Sequence, residues 1–141
     1  VTKVDRATRS FIGCTVVWER TSLALQRVVE HGPPARQYFS DGLNTYATLG
    51  YGLARYTVSE GKRDTYSVEA DNAELRHYLA RLARRSRCFT RCLVALCNAL
   101  KLFFYAFNSR QLHKAAFPNY PAHVFHFVAP LLISHSQPLV I

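Results

Sequence analysis

Apolar residues along this chain fall first into short runs broken by polar turns and later into stripes at helical spacing. Val1 to Val4 followed by Asp5-Arg6-Ala7-Thr8-Arg9 predicts the stub of a strand and a turn. Phe11 to Trp18 (FIGCTVVW) is a nearly unbroken β-branched and aromatic run, which predicts a strand buried on both faces and central in its sheet. Thr21 and Ser22 can cap a helix reaching about Glu30, with Leu23, Leu25, Val28 and Val29 turned to the sheet, and His31-Gly32-Pro33-Pro34 ends it. Gln37 to Ser40 reads as a short strand closed by Asp41-Gly42, a short helix fits Leu43 to Leu49, and Arg55 to Ser59 reads as another strand. Gly61-Lys62-Arg63-Asp64 is an exposed basic loop.

The second half is helical. Ser67 reads as an N-cap for a helix from Val68 to about Arg87, with Leu75, Leu79, Leu82 and Ser86 at i, i+4, i+7 and i+11. A further helix, roughly Cys88 to Leu112, is stopped by Pro118 and Pro121. Its apolar stretch from Leu93 to Phe107 is interrupted by Asn98 and Lys101. It falls short of the roughly 20 residues that a membrane span needs, so a packed helix is expected. The elements make an α/β chain with one domain over residues 1–115 and a Pro-containing apolar tail, 116–141, that has no clear period.

Hydrophobic residues supply 49% of the chain and charged residues 19%, which excludes a disordered acidic protein and leaves enough apolar side chains for one core. The net charge of +9 is unevenly placed. Residues 1–74 carry nine acids and nine bases, whereas residues 75–141 carry nine bases and no acid. So one-sided a field attracts a polyanion, nucleic acid first and an anionic membrane surface second. Cys14, Cys88, Cys92 and Cys97 include no CxxC pair, so small apolar residues on buried helix faces are expected in place of a zinc site. His123 and His126, three apart, could share a helix face but have no Cys or carboxylate beside them, and they are expected, like His77, His113 and His135, as surface or core residues. The chain begins without the apolar core of a secretory leader, which predicts a cytoplasmic protein.

Two acids stand where chemistry is expected. Asp41 follows a short strand, at the edge where α/β sheets bind ligands, and Glu69 lies in the first turn of a helix 28 positions later. A carboxylate pair of this kind can hold Mg²⁺, an oxygen-seeking ion that keeps waters for a phosphate and can activate the attacking oxygen of a phosphodiester displacement. In the blander alternative Asp41 caps the following turn and Glu69 favours its helix N-terminus. Helical spacing places Glu69, Asn72 and Arg76 along one face and Arg81, Arg84 and Arg85 on another.

YFSDG (Tyr38 to Gly42), the basic loop and VEADNAELRHYLARLARRS (Val68 to Ser86) resemble the catalytic core of DDE transposases of the bacterial insertion-sequence-one group. The likeness runs in order from about Val4 through VVWERT (Val16 to Thr21) to FNSRQLHKAAFPNYPAH (Phe107 to His123). It implies an incomplete ribonuclease-H-like (DDE integrase) core with C-terminal helices. By motif position Asp41 is similar to the second metal-binding acid and Glu69 to the third, with Mg²⁺ or Mn²⁺ as the implied cofactor. Asn72, Arg76 and the downstream Arg81, Arg84, Arg85, Arg87 and Arg91 match the polar and basic face of the family's terminal helix, so contact with DNA phosphates is expected there, and Lys62 and Arg63 of the basic loop are expected to join it. The first acid belongs to a strand upstream of Val1, and zinc-finger and helix-turn-helix regions are expected ahead of the core. Asp5 matches the turn between the second and third strands.

The resemblance therefore implies a transposase fragment, inactive alone, whose complete relatives hydrolyse a phosphodiester and join the freed 3′ hydroxyl to target DNA. Its partners would be element ends and target DNA, with self-association, a nucleoid-associated location, no membrane and no small-molecule substrate. Lacking a central strand, such a fragment would expose sheet edges and apolar residues and dissolve poorly. The alternative is a non-catalytic DNA-binding or regulatory protein that uses the basic helices alone.

Overall fold

Strand β1, Thr2–Val4, turns back through residues 5–10 to pair antiparallel with β2, Phe11–Cys14, in a computed structural model that describes residues 1–17, 19–61, 64–82 and 92–128. Only the backbone of Arg81 is included. The turn is built by Asp5, whose carboxylate accepts from the Thr8 backbone N–H at 2.9 Å and from the Thr8 hydroxyl. The register passes from Lys3 opposite Gly13 to Val4 opposite Phe11, leaving Ile12 as the extra residue of a bulge. Phe11 is buried, but Val16 is exposed and the hairpin has only two strands. The central, doubly buried strand expected over Phe11 to Trp18 is thus corrected to a four-residue strand. An apolar run predicts burial only if neighbouring strands exist to cover it.

Helix α1, Ser22–Glu30, begins as expected, with the Thr21 side chain accepting from the Ala24 N–H at 3.3 Å. It buries Leu25 and Val28, at i and i+3, each contributing roughly 1.5–3 kcal/mol. Leu23, expected to face the sheet, is 67% exposed, because it lies two residues, about 200° of helix, from Leu25. Gly32 follows with φ +104°, and a side chain there would meet the Ile12 carbonyl oxygen at 2.5 Å. Only glycine satisfies both demands.

Strands β3, Gln37–Ser40, and β4, Arg55–Val58, pair in parallel and in register as a second, separate two-stranded sheet. Their crossover carries one short helix, α2, Asn44–Ala47. Tyr38 and Tyr56 are register partners on one face of this sheet. Tyr51 covers them, stacking on Tyr56 at 4.7 Å and 6° and lying 5.0 Å from the Tyr38 ring. Lys3 links the hairpin to this sheet, donating to the Tyr38 hydroxyl at 3.3 Å while also donating to the Val29 and Pro33 carbonyls.

Helix α3 runs Tyr66–Tyr78 and gives way to a 3-10 turn at Ala80–Leu82. It starts one residue before Ser67, so Ser67 is inside the first turn and is not the N-cap expected from sequence. The helix expected to reach Arg87 thus ends at Tyr78, and residues 83–87 lie outside the described residues. Its buried positions are Asp71 and Leu75, one turn apart. Arg9, at φ 59°, reaches Asp71 with a two-pronged fork: Nε to Oδ2 at 3.0 Å and a terminal guanidinium nitrogen to Oδ1 at 2.6 Å. Arg6 pairs with Asp64 at 3.1 Å and lies over the Phe39 ring, and the Thr2 hydroxyl donates to the Asn72 side-chain oxygen at 2.9 Å. The hairpin thereby holds the first turns of α3 through polar contacts.

The chain divides into two compact units, Val1–His77 and Tyr78–Ile141. In the second unit α4, Leu93–Ala116, buries a stripe of Leu100, Phe103, Ala106, Phe107 and Arg110. A 3-10 turn, Val124–Phe127, packs on α4 with Val124 buried. Helix α4 persists four residues beyond the expected Leu112 and stops just before Phe117-Pro118, since the residue before a proline is pushed out of helical geometry. Cys92 is exposed and Cys97 half-buried, and neither is in a disulfide. No described helix is long and apolar enough to cross a membrane.

The fork predicts strong coupling. Arg9→Ala leaves the Asp71 carboxylate buried and unpaired and should cost about 3 kcal/mol, the lower part of the range for breaking a buried pair because Arg9 is partly exposed. In a urea-denaturation cycle, the Arg9→Ala/Asp71→Ala double variant should be less destabilised than the sum of the singles by more than about 1 kcal/mol. Additive losses would mean that the pair contributes nothing to holding α3.

Candidate metal and nucleic-acid sites

Asp41 sits directly after β3, at the carboxyl end of the parallel pair, and is exposed. The chain leaves the strand there because Ser40 ends the ladder: its backbone carbonyl accepts from the Ser59 N–H at 2.9 Å. The Ser40 hydroxyl bonds the Asp41 carbonyl and the Tyr56 hydroxyl, each at 2.8 Å. These contacts fix the Asp41 backbone and turn the tyrosine layer toward the same sheet end. Burial pushes the Tyr46 phenol above its ordinary pKa, and the neighbouring Asp41 charge adds to the effect. Burial, with Tyr56, Tyr46 and Tyr38 close by, pushes Tyr51 up to about 12.

Glu69 is exposed in the first turn of α3, where a carboxylate is favoured by the unsatisfied helix N–H groups. Two positions on, Asp71 faces the opposite way and is taken up by Arg9, whose own pKa is raised chiefly by that hydrogen bond. Helical geometry therefore sorts two nearby acids: one at the surface, the other buried in an ion pair. Asp71 was readable in principle, since it shares the apolar face of Val68 and Leu75. An acid there requires a buried cation, and no local pattern pointed to Arg9.

Asn72 is half-buried with its side-chain oxygen engaged by Thr2, and Arg76 is exposed in the last turn of α3. Lys62, Arg63, Arg84, Arg85, Arg87 and Arg91, together with the Arg81 side chain, lie outside the described residues. Asp5 occupies the hairpin turn, where its hydrogen bonds to Thr8 hold its pKa below the usual carboxylate value. Of the remaining bases in the second half, Lys101 and Lys114 are exposed and Arg110 is buried against the Phe107 ring.

Mg²⁺ asks for several oxygen ligands. Among the described residues no three His, Cys, Asp or Glu side chains form a group that could hold a metal ion. Asp41 and Glu69 do not by themselves complete such a site, and no catalytic step through a metal follows from their geometry.

The tyrosine layer makes a prediction in the alkaline range. Because the folded state keeps Tyr51 protonated to about pH 12 while an unfolded tyrosine ionises near pH 10, the unfolded chain releases its proton first. Stability from this group is complete below about pH 10 and is lost as pH rises toward 12. Tyr51→Phe should flatten the pH dependence of the urea midpoint between about pH 10 and 12, whereas equal slopes in parent and variant would exclude the linkage.

Searches of family models, of curated proteins and of solved structures found no match to this chain.

Proposed function

We propose that this chain is a DNA-binding part of a metal-dependent recombinase of the DDE transposase type, with Asp41 and Glu69 as two of its metal-binding carboxylates. One observation carries the reading: Asp41 ends the first strand of a parallel pair and Glu69 opens the next long helix, and both are exposed. They stand in the order and motif context of the resemblance. The neighbouring Asp71 is unavailable, because Arg9 holds it. In this reading the core is ribonuclease-H-like, a third acid comes from a segment preceding Val1, and Mg²⁺ or Mn²⁺ binds when that acid is supplied. Exposed Arg76 and the basic residues from Lys62 to Arg91 contact phosphates of element ends and target DNA.

A second reading is a non-catalytic basic DNA-binding protein. It needs only the acid-free second half. Both readings expect duplex affinity to fall linearly in log K with log salt as counterions are released.

Mg²⁺-dependent nicking of supercoiled plasmid separates them when the chain is extended upstream to supply the third acid, with Glu69→Gln and Asp41→Asn run beside that extended parent. For the recombinase, nicking should drop at least about 100-fold in either variant, the upper end of what losing even an outer-shell partner of a metal costs. Salt-sensitive duplex binding should stay unchanged. Binding without nicking in all three proteins would sink the catalytic reading and leave the second one standing.

A further inference from the structure

The end of α4 and the 3-10 turn that follows carry a set of aromatic rings that the core does not use. Phe117 is 52% exposed, Tyr120 68% and Phe125 63%. They form part of a connected layer: the Phe117 ring lies 6.5 Å from Tyr120 and 5.1 Å from His113, and His113 lies 5.6 Å from Phe127 in the same turn as Phe125. Phe125 is braced by Tyr78 at 5.3 Å. Val124 beside it is buried and fixes the turn on α4. Phe125 also lies parallel to the His123 ring at 6.4 Å, and the three rings remain more than half exposed on anchored backbone.

The surroundings select the partner. Lys114 is exposed in the last turn of α4, and no acid occurs anywhere from residue 75 onward to oppose a polyanion. Between residues 112 and 127 rings outnumber exposed aliphatic side chains: Leu112 is exposed, the one valine is buried and no isoleucine occurs. A lipid-inserting or protein-docking patch would be expected to present mainly aliphatic side chains. Flat rings beside cations, free of carboxylates, instead match single-stranded nucleic acid, whose unpaired bases stack on aromatic faces while the backbone seeks positive charge. Duplex DNA keeps its bases stacked on one another and has no use for such rings.

We infer that Phe117, Tyr120 and Phe125 form a stacking platform for single-stranded nucleic acid. This rests on the reading of the second half as a nucleic-acid contact, and not on Asp41, Glu69 or any metal. The test is fluorescence anisotropy of labelled oligo(dT) and of a labelled duplex with the full chain. Phe117→Leu, Tyr120→Leu and Phe125→Leu are suitable variants, because each keeps an apolar side chain at an exposed position, and circular dichroism verifies the fold.

Each substitution should weaken oligo(dT) binding by about 5- to 100-fold, the range for losing one base–aromatic stack, and leave duplex binding within twofold. Duplex binding by the parent with oligo(dT) affinity unchanged in all three variants would overturn the platform while sparing the wider reading. Failure to bind either nucleic acid would overturn both. Binding by the parent to phosphatidylserine vesicles but not to oligo(dT) would assign the rings to a membrane surface.

Discussion

Two sheets of two strands each cannot hide enough apolar surface to fix a helix by packing alone, and in the first unit a buried ionic fork takes on that task. Arg9 extends from the hairpin turn to a carboxylate that is 2% exposed on the inward face of α3. A carboxylate buried there calls for a cation, and the planar guanidinium supplies two parallel donors that also set its direction. Thr2 with Asn72, Arg6 with Asp64 and Lys3 with Tyr38 repeat the same solution at lower strength. Directional contacts of this kind specify where α3 begins more sharply than a few apolar side chains would.

This arrangement sorts the acids of the first unit. Asp71 and Asp64 are engaged in ion pairs, Asp5 caps its own turn, and Asp41 and Glu69 project from element ends. Neither projecting carboxylate is held by the fork, but Glu69 is placed by it, because two residues of helix separate it from the clamped position. Orientation of a surface acid is thus inherited from a buried one.

Local signals in the sequence were legible and collective ones were not. Thr21 as a cap and the β3 strand closing before Asp41 follow from chemistry within a few residues and appear where expected, while α4 runs four residues past its expected end before the stop ahead of Pro118. The length of β2 depended on whether other strands flank it, which its own apolar run cannot state. The end of α3 at Tyr78 has no glycine, proline or cap residue to announce it, and the leucine spacing continues past it. Exposed positions for Asp41 and Glu69 were foreseeable from their places at element ends. The Arg9–Asp71 contact, between residues 62 apart, was not.

That same separation bears on how the unit assembles. The hairpin turn and α1 can form from near neighbours, whereas the fork closes a loop through almost the whole first unit. The entropic cost of closing it grows only with the logarithm of its length, yet it must be met before any stabilisation is returned. The hairpin and α3 therefore cohere only late in folding, after β3, its crossover and β4 have drawn the intervening chain together.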